Sequence, residues 1–148
     1  MPSTHLSLHY HLVFSTKDRY PFLVRDWRDQ LHAYLGGCLN TIDATPETIG
    51  GTEDHVHLLA GLKATHRLSD VLREIKQASS EWVHNEMKVR KFGWQEGYGA
   101  FTVSSSNLAA VKSYIEGQEE HHRRKTFQEE YRAFLKKNDI VVDERYLW

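Results

Sequence analysis

The stretch EDHVHLLAGL, residues 53–62, sets two histidines one residue apart inside an apolar run. Side chains two apart on a β-strand share a face. His55 and His57 therefore project together, while Val56, Leu58 and Ala60 turn the other way, toward a core. Two imidazoles side by side on a rigid strand make half of a site for a divalent ion. From the pair alone, the plainer reading is the stronger one: polar residues on a solvated sheet face. HYH at 9–11 repeats the spacing. Both pairs cannot be the site, and if they share a face His11 supports the other pair from behind.

Working outward, residues 5–15 alternate, with Leu6, Leu8, Tyr10, Leu12 and Phe14 on one side and His5, Ser7, His9, His11 and Ser15 on the other. That is the pattern of a half-buried strand. Trp27, Leu31, Tyr34 and Leu35 recur at helical spacing over 25–38, and Gly36-Gly37 is expected to close that helix. PETIGG at 46–51 leads into the His55 strand. Leu68, Val71, Leu72, Ile75 and Val83 form the stripe of a long amphipathic helix over 68–89, with Ser69 as its expected N-cap. AFTVS at 100–104 reads as a short strand. A helix from 107 with Ser105 or Ser106 as cap follows, and then a last helical segment over 126–138.

The order strand, helix, strand, strand, helix, strand predicts an α+β domain. It is the split β-α-β pattern of ferredoxin-like or RRM-like folds, with helices on one face of an antiparallel sheet and a C-terminal tyrosine-bearing helix added. The first and third strands are then neighbours at the sheet centre.

Composition sets bounds. The chain has 148 residues and reads as one domain, 1–148, without linker or repeat. A single cysteine, Cys38, excludes an intrachain disulfide. No signal-like leader and no long apolar run are visible, so a cytoplasmic location without membrane contact is expected. A net charge of -1 means that any nucleic-acid binding must rest on local basic patches. The candidates are Lys17, Arg19, Lys76, Arg90 and Lys91.

A partner for the histidines is suggested by Tyr114 and Gln118, which lie four apart and so on one side of a helix. A Gln amide oxygen is a hard, neutral ligand suited to Mg²⁺ or Mn²⁺. On spacing alone, a packing tyrosine and a solvated glutamine remain the plainer alternatives.

DHVHLL at 54–59 followed by YIEGQ at 114–118 resembles the single-tyrosine HUH transposases of small bacterial insertion sequences, the IS200-like family. YHLVFSTKDRY at 10–20, IKQASSEW at 75–82 and GWQEGYGAFTVS at 93–104 fall in that family's order. The likeness covers about residues 9–122, and the tail beyond about 125 adds little to it. The resemblance implies that His55, His57 and Gln118 bind Mg²⁺ or Mn²⁺ and that Tyr114 is the nucleophile. It implies cleavage and rejoining of single-stranded DNA at hairpin-marked ends, through a 5′-phosphotyrosine. It further implies a homodimer with composite sites, Tyr114 of one chain serving the histidine pair of the other. His121 and His122, just past Gln118, compete as ligands or touch phosphate, and His11 stands behind the site. No general base for Tyr114 is evident. The rival reading is a domesticated or non-catalytic ferredoxin-like nucleic-acid-binding protein.

Overall fold

A computed structural model describes residues 3–122 and 125–140, His122 by its backbone alone. Strands β1 (His9–Ser15), β2 (Thr45–Gly51), β3 (His55–Gly61) and β4 (Gly99–Val103) form one antiparallel sheet in the order β2-β3-β1-β4. The first and third strands are indeed its centre. Their register pairs His11 with Leu59, Val13 with His57 and Ser15 with His55. Residues opposite one another in an antiparallel pair share a face, so all six lie on the same side.

The other side carries Leu12, Phe14, Val56, Leu58 and Ala60, fully buried against helices α1 (Arg25–Thr41) and α2 (Leu68–Asn85). Helix α1 does not stop at Gly36-Gly37. The stripe Leu31, Leu35, Leu39 runs on for another turn, and burying it outweighs the poor helix propensity of glycine. Gly36 faces β2, where a Cβ would meet Ile49 and Pro46 at ordinary contact distances of 3.7–3.8 Å. Helix α2 ends at Asn85 rather than 89, and Lys88 beyond it adopts a left-handed φ of 62°. Its N-cap is Arg67, without a side-chain cap, and Ser69 lies inside the first turn.

The histidine-bearing face is covered as well. Helices α3 (Leu108–Glu116), α4 (Gln118–His122) and α5 (Phe127–Lys137) lie over it. Leu59, Val103 and Ile115 pack together, as do Val13, Phe101, Phe127 and Leu135. Residues 11–15 of the first strand are therefore buried on both sides, not half-buried. Neither serine expected to cap α3 does so: Ser105 opens a 3-10 turn, and Asn107 is the N-cap, without a side-chain bond. Helix α5 does carry a side-chain cap, Thr126 Oγ1 accepting from the Glu129 amide at 3.1 Å. Residues 141–148 of the tail lie outside the described residues.

Candidate active site

His55 and His57 are both 0% exposed, which removes the reading of idle histidines on a solvated sheet. Such burial needs partners, because a polar atom taken out of water without a hydrogen bond costs about 1–3 kcal/mol. On His55, Nδ1–H donates to Asp54 Oδ1 at 2.8 Å, since a carboxylate can only accept. Asp54 sits in the bend before β3, where strand alternation does not apply, and its carboxylate reaches around to the ring.

With a proton on Nδ1, the ring has Nε2 left to serve as a ligand atom. That atom faces the Gln118 amide oxygen at 3.1 Å. Gln118 is held in this orientation by its own Nε2, which donates to the Tyr114 carbonyl at 3.3 Å. A ring nitrogen and an amide oxygen converging at this distance are joined either by a proton on Nε2 or by a cation that both atoms ligate. The donor set thus fits a divalent ion on the chemistry of its atoms.

His57 is oriented from behind. Its Nδ1 is bonded to His11 Nε2 at 2.8 Å, leaving Nε2 directed into the site. His11 is itself buried and held neutral: burial first, then the charge of His57, lowers its pKa from 6.5 to about 3. For His57 Nε2 to offer its lone pair, its Nδ1–H must donate to His11 Nε2, which a neutral His11 can accept.

The far side of the site is formed by α5, which sequence reasoning passed over. Glu130 is 2% exposed, and its Oε1 lies 3.0 Å from His57 Nε2. The Tyr114 hydroxyl donates to the same oxygen in a short hydrogen bond. Phe127 stacks on the His55 ring, centroids 4.3 Å apart and planes 26° apart. Phe134 meets His11, His57 and Tyr114. The signal for Glu130 was present: within 126–138 it shares a helix face with Phe127 and Phe134, an acid on an apolar stripe. What the sequence did not contain was where that stripe docks.

Tyr114 stands over His57 of its own chain, ring centroids 5.8 Å apart. Burial, then the hydrogen bond and charge of Glu130, raise its pKa well above the ordinary 10, so the phenol is held protonated here. Tyr114 and Gln118 do not share one continuous helix. Gly117 breaks it between them, with φ -95° and ψ 19°. Within the single chain, Tyr114 lies beside the histidine pair, with α3 seated on β2 and Glu130 accepting from the hydroxyl.

Of the remaining candidates, His121 lies edge-on to Tyr114 at 5.0 Å, and the His122 side chain is outside the described residues. Lys17, Arg90 and Lys91 are exposed on the loops after β1 and after α2, and Arg19 is partly buried. Lys76 is not an open cation for DNA. Its ammonium donates to the carbonyls of Gln95, Glu96 and Gly97 at 2.6, 3.2 and 2.9 Å. Its charge is engaged in tying down the loop before β4.

The family profile described as "Transposase IS200 like" matches residues 4–118. The ISDra2 transposase TnpA of Deinococcus radiodurans is 29% identical over 117 residues, covering 75% of this chain and 84% of the relative. A crystal structure from Deinococcus radiodurans R1, assigned as a transposase, superposes with a TM-score of 0.65 at 26% identity, over 80% of this chain and 96% of the other. The structure of a REP-associated tyrosine transposase bound to a REP hairpin shares the fold, with a TM-score of 0.57 at 12% identity, over 79% and 72% of the two chains. With a match that spans most of its length, the chain belongs to the IS200-like transposase family and is an enzyme of that class.

Proposed function

We propose that this transposase cuts and rejoins single-stranded DNA at hairpin-marked ends, with Tyr114 as nucleophile. The observation that carries the reading is the convergence of the Tyr114 hydroxyl with the inward nitrogens of His55 and His57 and the Gln118 amide oxygen. Tyr114 Oη attacks the scissile phosphorus, the bond from phosphorus to the 3′ oxygen breaks, and the 5′ phosphate stays on the tyrosine. The phenol proton leaves toward the Glu130 carboxylate that already accepts it, and the departing 3′ oxygen takes a proton from solvent water. Rejoining reverses these movements with a new 3′-OH, so the phosphodiester energy is kept and no nucleotide cofactor is consumed.

His55, His57 and Gln118 would hold Mg²⁺ or Mn²⁺, whose contribution when bound is to neutralise the non-bridging oxygens of the phosphate. Asp54 and His11 fix the two rings from behind. A homodimer, proposed from the family likeness, carries two such sites, each complete within one chain in the arrangement seen here. The exposed Lys17, Arg90 and Lys91 are the candidates for backbone contact. A purely nucleic-acid-binding reading fits less well. An RRM-like domain stacks bases on aromatic residues of an open sheet face, whereas here Tyr10 and Phe14 face the α1–α2 core and the second face lies under α3–α5.

The test is a denaturing gel of the protein incubated with hairpin-bearing single-stranded DNA from its own genomic flanks and Mg²⁺ or Mn²⁺. A covalent adduct is expected, absent in Tyr114→Phe. An adduct that survives this change removes Tyr114 as nucleophile, and cleavage without any adduct points to a hydrolase.

A further inference from the structure

We propose that Glu130, carried by α5, is a further protein ligand of the divalent cation and its anionic one. The inference rests on the metal-site reading above and extends it to a part of the chain beyond the matched residues 4–118. The ligand atoms of His55, His57 and Glu130 all lie within 4.8 Å of one another, and all three residues are buried. In a coordination shell with bonds of about 2.1 Å, neighbouring ligand atoms are about 3 Å apart and opposite ones about 4.2 Å. The His57 Nε2 to Glu130 Oε1 distance is 3.0 Å, and that from His55 Nε2 to Gln118 Oε1 is 3.1 Å. Both match neighbouring positions in such a shell.

The chemistry agrees with the geometry. Two neutral imidazoles and an amide offer a hard dication no negative charge, and Glu130 supplies one. A carboxylate accepts through four lone-pair sites on two oxygens. The oxygen that accepts the Tyr114 hydroxyl, Oε1, therefore keeps a second lone pair for the cation. Phe127, stacked on His55, fixes the turn of α5 from which Glu130 projects. Cation binding and the docking of α5 are thereby linked.

The experiment is an electron paramagnetic resonance titration of Mn²⁺ into the full chain, comparing wild type, Glu130→Gln and His57→Ala, with circular dichroism to confirm folding. Glu130→Gln is expected to weaken Mn²⁺ binding by about tenfold or more. Wild-type affinity in Glu130→Gln alongside a loss in His57→Ala overturns the assignment of Glu130 and leaves the metal site standing. Equal binding by wild type and His57→Ala would instead sink the metal site itself. A second measurement needs no change at Glu130: Mn²⁺ should slow amide exchange across 127–137 in the wild type but not in His57→Ala. Exchange in α5 that is indifferent to Mn²⁺ also overturns the proposal.

Discussion

Gly50 shows how much of the site hangs on single positions. It lies in β2 beneath α3, and a Cβ there would run into the carbonyl oxygen of Ile115, the residue next to Tyr114. Gly50→Ala is therefore expected to lift the tyrosine helix from the sheet, at a cost of about 1–3 kcal/mol. Urea unfolding should show that loss, and adduct formation should fall with it; a variant as stable and active as the wild type would refute the close approach. His11 gives a prediction in pH. Its folded pKa, about 3, lies below the ordinary 6.5, so between those values the unfolded chain binds more protons than the folded one. Its contribution is complete above pH 6.5 and is lost as pH falls toward 3, at up to about 1.4 kcal/mol per pH unit. His32, lowered by burial to about 4, adds to the same slope. Unfolding free energies measured between pH 4 and 7 should rise with pH, and His11→Gln should flatten that rise. That His55 and His57 share a face was legible from the two-residue period of a strand. That they are dry was not, because their cover comes from helices far along the chain.

At the scale of elements, the strands and the long helices could be read because burial imposes a period on their residues. The misread boundaries were those where a tertiary contact overrules a local signal, as when the Leu31–Leu35–Leu39 stripe carries α1 through two glycines. Helix α5 was legible as a helix but not as a wall of the site: an amphipathic stripe reveals that a face is buried, not against what. The loop before β4 is the other case. Lys76 reads as one more surface cation, yet its ammonium meets three carbonyls of residues 95–97. Lys76→Met should therefore cost about 1–3 kcal/mol of stability and leave the salt dependence of hairpin binding unchanged. Arg90→Ala with Lys91→Ala should do the reverse, leaving stability alone and lowering the slope of log affinity against log salt. Fluorescence anisotropy across a salt series separates the two, and a flattened slope in Lys76→Met would restore it as a DNA contact.

Across the whole molecule, the sheet separates two environments. One face and its helices α1 and α2 form an apolar core whose large side chains are fully buried. The other holds polar chemistry between the sheet and α3, α4 and α5, with histidines of the two central strands as its floor. Among the described residues no helix is long and apolar enough to cross a membrane. The order β2-β3-β1-β4 puts His11 and His57 on adjacent strands although they are far apart in sequence, which is why topology had to be right before any ligand could be placed. Tyr114 standing over the His57 of its own chain has a consequence for heredity. Two null alleles, one lacking the tyrosine and one lacking the histidine, should fail to complement one another. A cell that carries both would stay as immobile as a cell that carries either.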